Sequence, residues 1–343
     1  MKRILIVNVN WLGDTLFATP FIRAVREKYP KAHIAVITHP RCCEILEGNP
    51  NIDEIIIYDE KKQHKSLLGK FSMVSHVRSK KFDAAFILRK SLSRTLLLLF
   101  SKIPVRIGYG SKRAGFLLTK KIEAPAMRLH KVEYFLNLAK AAGMETKNEN
   151  YEIFISDKDM ENGKNILEDA GIKDKKFIAL NAGGNWGPKR WPAENFAELG
   201  DKISEKLKIP VVLTGAEKDM ALTENIAGLM KHKPFILCGK TNLKTLGAVF
   251  KKAMCVVSND SGPMHIAAAV KAPVVAVFGP TSAELTGPHG GGKYRIARKD
   301  IGCKIPCYDL KCEDNRCIKA VKVEDVMKAV NEITKIQETI IKQ

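Results

Sequence analysis

Three stretches in the second half of the chain combine glycine, acid and cation in a pattern suited to a phosphorylated ligand. They are Gly183-Gly184-Asn185-Trp186-Gly187-Pro188-Lys189-Arg190-Trp191-Pro192, Gly215-Ala216-Glu217-Lys218-Asp219 and Asn259-Asp260-Ser261-Gly262. Glycine lets a ligand approach backbone N–H groups, and Lys189 and Arg190 supply cations for a diphosphate. Glu217 can accept hydrogen bonds from the vicinal hydroxyls of a ribose. Pro263 suits a first helical position, with Asp260 or Ser261 capping ahead of it, so a phosphate can rest on the helix start. A capped helix with no ligand is the alternative. His265 by itself reads as a helix-start histidine bonded to the loop. In the first half, Asp14 is the one acid of the loop Asn10-Trp11-Leu12-Gly13-Asp14; its bland role is a helix N-cap.

These loops need a scaffold that brings them together. Residues 256–280 read as strand, turn, helix and strand, one βαβ unit. Short apolar strands are expected at 3–9, 33–38, 54–58 and 83–88, with helices at about 15–28, 40–48, 66–80, 91–101 and 130–142. A second series of strands is expected at 177–181, 211–214, 235–238, 254–258 and 274–278. Strands alternating with helices predict parallel sheets, whose C-terminal loops share one edge. The three ligand loops therefore converge on one crevice. Neither GxxxxGK[ST] nor GxGxxG after the first strand occurs. Residues 108–121 mix glycine, cations and apolar residues as a loop resting on lipid or glycan would. The polar stretch near 148–159 marks a domain boundary after residue 157, and Asp157-Lys158-Asp159 there reads as a helix cap rather than a metal–diphosphate motif. Residues 323–343 form an amphipathic helix.

The 343 residues carry a formal charge of +20, which calls for an anionic partner such as nucleic acid, anionic lipid or a phosphorylated glycan. Residues 61–131 hold 18 Lys and Arg against Asp83 and Glu123, a net of +16. This segment has no aromatic stacking motifs, which argues against nucleic acid. No apolar run is long enough to span a bilayer, and the start lacks a signal-peptide pattern. A cytoplasmic protein that can rest on an anionic membrane surface is expected. Cys303, Cys307, Cys312 and Cys317 fall in a C-x3-C-x4-C-x4-C pattern. Zinc, an iron–sulfur cluster, two disulfides or none of these all fit, since paired CxxC knuckles are missing. Cys42, Cys43, Cys238 and Cys255 sit in or beside apolar runs and read as packing residues.

Trp11-Leu12-Gly13-Asp14, Gly183-Gly184 through Trp191-Pro192, Gly215-Ala216-Glu217, Asn259-Asp260-Ser261-Gly262-x-x-His265 and Phe278-Gly279-Pro280-Thr281 occur in this order nearly end to end. In that order the chain resembles the ADP-heptose lipopolysaccharide heptosyltransferases, most closely those adding the second heptose. The resemblance implies an α/β GT-B fold: an acceptor-binding Rossmann-like domain over 1–157, a nucleotide-sugar domain over 158–322, facing across a cleft, and a last helix crossing back to the first. It makes Asp14 the catalytic base beside Gly13, and Lys189 the phosphate-binding lysine. Glu217 becomes the ribose-binding acid, and Asp260, Ser261, Gly262 and His265 a second donor loop. The implied reaction is inverting, with Asp14 deprotonating the acceptor hydroxyl and Lys189 with backbone donors at Gly183, Gly184 and Gly262 holding the leaving diphosphate. No cofactor or metal is required by this scheme. The acceptor would be the Kdo–lipid A core at the inner membrane, contacted by candidates Gly13, Lys61, Lys65, Arg89, Lys90, Arg94, Lys112 and Arg113. Another heptose position, another nucleotide sugar, a GT-B epimerase and a nucleic-acid-binding protein are the alternatives. The sequence leaves the oligomeric state open.

Overall fold

The computed structural model describes residues 1–341 apart from Asp174 and Leu310, with side chains up to 335. The chain divides between Phe154 and Ile155 into two compact units.

In the first unit, β1 (Arg3–Val7), β2 (His33–Thr38), β3 (Glu54–Ile57), β4 (Ala84–Ile87), β5 (Val105–Tyr109) and β6 (Lys120–Ile122) form a sheet in the order β3-β2-β1-β4-β5-β6. In the second, β7 (Ile178–Asn181), β8 (Val211–Thr214), β9 (Phe235–Ile236), β10 (Cys255–Asn259), β11 (Val274–Val277) and β12 (Tyr294–Ala297) run β12-β11-β10-β7-β8-β9. All neighbours pair in parallel. Counted from its own first strand, each sheet has the same order, that of a doubly wound α/β domain. Direction reverses beside β1 and β4 in one sheet and beside β7 and β10 in the other. Ligand crevices of such sheets form at that reversal, beyond the strands' C-terminal ends. Helices cover both faces, so the inner strands are apolar throughout, as Ile4–Val7 and Val274–Val277 are.

The helix expected at 15–28 is two helices, Leu12–Phe17 and Thr19–Lys28. Pro20 has no N–H for the Leu16 carbonyl, and the Thr19 hydroxyl donates to that carbonyl instead at 2.8 Å. The expected loop at 108–121 contains the end of β5, a 3-10 turn at Gly115–Leu117 and the start of β6. The edge strand β12 was not foreseen, because its outer residues Tyr294 and Arg295 are exposed and break the apolar run. Ser156 caps helix Asp157–Asp169 in a box closed by Asp159, so the Asp-x-Asp pair is a cap. Helix Val323–Ile341 packs Val326, Val330 and Ile333 into the second unit's core, against helix Ala193–Leu207 and β10 to β12. Ile336 and Ile340, part of its apolar stripe, lie outside the described side chains, as does the rest of 336–343 on which a crossing to the first half would depend.

Candidate functional site

In the second unit the three suspected loops follow β7, β8 and β10, on one sheet edge. A single side chain ties two of them. Asn259, buried at the end of β10, donates through Nδ2 to the Ala182 carbonyl at 2.8 Å and accepts through Oδ1 from the Trp191 N–H at 3.1 Å. Trp191 is itself buried, its indole N–H donating to the Val321 carbonyl at 2.8 Å and its ring meeting Phe196 edge-on. The stretch from Gly183 to Pro192 is thus closed at both ends against β10.

Asp260 is buried, and its Oδ2 accepts from the Lys189 ammonium and the Thr281 hydroxyl, each at 2.6 Å. It therefore does not cap helix Gly262–Ala269, as the sequence suggests it can. Ser261 holds the N-cap position in extended backbone without a side-chain cap hydrogen bond, its hydroxyl lying 3.4 Å from that of Ser258. Among the described residues the N-cap Ser261 thus does not compete for the amides of the helix start, and Lys189 is fixed on the adjacent Asp260. Amides at a helix start, the positive end of the helix dipole and a held ammonium are features that can receive an anion. The Lys189 ammonium also lies 5.4 Å from the centre of the Trp186 ring, which stacks on Tyr308. His265, on the first turns of the helix, is buried, and burial pushes its imidazole down to about 4.

The remaining predicted residues are placed as follows. Arg190 is exposed and donates through Nε and Nη2 to the Gly184 carbonyl, at 3.0 and 2.5 Å, so it staples its own loop. Asn185 accepts from the Lys218 ammonium. Glu217 is exposed in the 3-10 turn Glu217–Asp219. Its neighbour Asp219, which the sequence reading passed over, is buried and accepts from the Ala216 N–H at 3.2 Å. A Cβ on Gly183 would lie 2.5 Å from that carboxylate. Glycine there is therefore required for the approach of Asp219, which joins the first loop to the second.

In the first unit, Asp14 lies in the first turn of helix Leu12–Phe17, half-buried, and Trp11 rather than Asp14 holds the N-cap position. Gly13 precedes it in the same turn. Arg41 fixes the approach, donating to the Asn10 carbonyl at 2.7 Å with its guanidinium 4.2 Å from the centre of the Trp11 ring. Lys61 and Lys65 follow β3, Arg89 and Lys90 follow β4, and Lys112 and Arg113 follow β5; all six are exposed and stand, like Asp14, beyond the C-terminal ends of the strands. Arg94 differs. It is 1% exposed, donates to Glu60 Oε2 at 2.8 Å and stacks 4.5 Å from the centre of the Tyr58 ring. This corrects its assignment as an acceptor contact, since it is held by Glu60, an acid the sequence reading left out.

All eight cysteines are free thiols. Among the described residues no three of the sulfurs of Cys303, Cys307, Cys312 and Cys317 lie within 4.8 Å of one another. Cys303 lies beside the Arg316 guanidinium, and the Cys312 sulfur accepts from the Asn315 N–H. Cys42, Cys238 and Cys255 are buried, with burial pushing Cys255 up to about 12, while Cys43 is half-buried.

Two doubly wound parallel-sheet units are the architecture of the GT-B fold. The chain belongs to glycosyltransferase family 9 (heptosyltransferase), whose profile matches residues 71–316. It is 28% identical over 299 residues to lipopolysaccharide heptosyltransferase 2 of Salmonella typhimurium, covering 83% of this chain and 85% of that one. Among solved structures it superposes on a family 9 glycosyltransferase of Veillonella parvula with a TM-score of 0.88 at 26% identity, covering 97% of each chain. It superposes on the ADP-heptose LPS heptosyltransferase II of E. coli with a TM-score of 0.80 at 26% identity, covering 98% of this chain and 100% of that one.

Proposed function

We propose that the enzyme transfers heptose from ADP-L-glycero-D-manno-heptose to the heptose of the lipopolysaccharide inner core, on a Kdo–lipid A acceptor at an anionic membrane surface, with inversion. The observation that carries this reading is the anion site of the second unit: a helix start with no side-chain cap beside an ammonium fixed on a buried aspartate. A nucleotide diphosphate leaving an anomeric carbon needs its growing negative charge held, and no proton has to be supplied if it is held. Lys189 and the amides at the start of helix Gly262–Ala269 take that charge, with Asp260 and Thr281 keeping the lysine in place. Asp260 thus acts as a positioning residue. Glu217, exposed on the second loop, takes the ribose hydroxyls. Asp14 removes the proton of the attacking hydroxyl as the new bond forms. The basic edge of the first unit takes the anionic core glycan. The names of the relatives support the second heptose over other positions.

The test is mass-spectrometric transfer from ADP-heptose to a heptose-bearing Kdo–lipid A acceptor, comparing wild type with Asp14→Ala. Transfer by the wild type and its loss by about 100-fold or more in a variant that still binds ADP are expected, the lower bound of what a general base contributes. Failure of the wild type to transfer while ADP binds would refute the sugar or the acceptor. Failure to bind ADP would refute the site.

A further inference from the structure

Helix Leu67–Ser79, which leads from β3 to β4, does not put its apolar residues on one face. Met73 and Val77 enter the core, while Leu67, Leu68 and Phe71 are 72%, 82% and 69% exposed. At helical spacing these three share one outward stripe of the first turn and a half. The segment ahead of it is basic and tightly built. Asp59 Oδ1 accepts from the N–H groups of Lys61 and Lys62, both at 3.1 Å, and the buried His64 accepts from the Asp59 N–H at 3.2 Å. Ser66 caps the helix by accepting from the Gly69 N–H. A Cβ on Gly69 would lie 2.7 Å from the Gln63 carbonyl, so only glycine lets the turn lie on the helix. Lys61, Lys62 and Lys65 are thereby held, exposed, alongside Leu67, Leu68 and Phe71. The next helix, Leu92–Phe100, packs on this one and exposes Phe100, and the turn Gly115–Leu117 leans on that helix and exposes Phe116.

Exposed apolar side chains scattered singly are ordinary. Three in a turn and a half, preceded by exposed lysines in a segment of net +16, need an occupant that is both apolar and anionic. A protein partner fits poorly, because lysine is depleted in protein interfaces. A bilayer with anionic headgroups fits both features, since lysine stems lie along apolar surface while their ammonium groups reach the phosphates. We infer that Leu67, Leu68 and Phe71 insert into an anionic bilayer while Lys61, Lys62 and Lys65 pair with its headgroups. The lysine turn follows β3 on the sheet edge that also carries Asp14, so docking here brings a lipid-borne acceptor to that edge. This last step rests on the proposed function; the docking itself does not.

The experiment is co-sedimentation of the full chain with vesicles of phosphatidylcholine alone or mixed with phosphatidylglycerol. Wild type is expected to bind the mixed vesicles in a salt-dependent way and to leave the neutral ones in solution. Replacing Lys61, Lys62 and Lys65 by Gln should weaken binding roughly 100-fold, at about 5-fold for each lysine near a charged surface. Replacing Leu67, Leu68 and Phe71 by Ser should weaken it by at least about 10-fold with an unchanged melting temperature. That Ser variant should still transfer to a lipid-free core oligosaccharide as wild type does. Vesicle binding by a wild type that transfers to no acceptor would uphold the docking and refute the reaction. Equal vesicle binding by wild type and the Ser variant, or a wild-type dimer that the Ser variant converts to monomer, would overturn the docking.

Discussion

Lowering the pH should destabilise the second unit through one buried imidazole. His265 sits in the helix that builds the anion site, and burial holds its pKa at about 4, against 6.5 in an unfolded chain. Between those values the unfolded chain binds a proton that the folded one refuses, so stability is full above about pH 6.5 and falls as pH drops toward 4. The loss between pH 7 and pH 5 comes to about 2 kcal/mol, a sizeable part of a typical margin of about 5–15 kcal/mol. Urea unfolding of wild type and His265→Gln, read by tryptophan fluorescence at both pH values, isolates this contribution from the carboxylates both proteins share. The difference in stability should shift by about 2 kcal/mol in favour of the variant at pH 5. The imidazole resonance missing from the variant's NMR spectrum should belong to a ring still neutral at pH 5. Parallel losses in the two proteins, or a ring titrating near 6.5, would refute the argument. Saturating ADP should raise that pKa, because a diphosphate at the helix start favours the charged ring.

Two further perturbations address the loops themselves. Lys189→Met removes the cation from the anion site and leaves the buried Asp260 carboxylate with the Thr281 hydroxyl, so ADP affinity by calorimetry should fall at least about 10-fold, the loss of one charge-assisted hydrogen bond; unchanged affinity would remove Lys189 from the site. Gly183→Ala places a methyl 2.5 Å from the Asp219 carboxylate. That carboxylate must leave the Ala216 N–H, costing about 1–3 kcal/mol in denaturant unfolding and weakening ADP as the second loop shifts; a variant as stable as wild type would show that Asp219 joins the loops loosely.

The fold was legible because both sheets are buried on both faces. Such strands are short apolar runs at regular spacing, and even their loops can be ranked by where a parallel sheet must put them. What escaped the sequence lies where one residue's partner is far along the chain. Edge strand β12 has one solvated side and so lacks an apolar run. The break between helices Leu12–Phe17 and Thr19–Lys28 depends on Pro20 together with the Thr19 hydroxyl, and only the proline was visible as a signal. Arg94 looked like one more cation of a basic segment, because nothing local reveals that Glu60 and Tyr58 enclose it. The four cysteines show the converse, a spacing that looks like a site although no three of the described sulfurs come within 4.8 Å of one another.

The acids of the donor loops divide along the same line. The resemblance assigns Glu217, Asp260 and Asp14 to ligand or proton, while the residues alone read Asp260 and Asp14 as helix caps. The structure gives Asp260 to Lys189 and Thr281, and adds Asp219, which holds the backbone of Ala216 and sets the size of residue 183. Both are buried, and a buried carboxylate without partners would be costly. Glu217 is the exposed one, and Asp14 is half-buried. Burial and hydrogen bonding therefore mark Asp260 and Asp219 as acids that build the loops. The proposed phosphate-holding elements, a helix start and an ammonium held by Asp260, are positioned by the fold, and such positioning lets a site favour charge developing on a leaving group over charge already present.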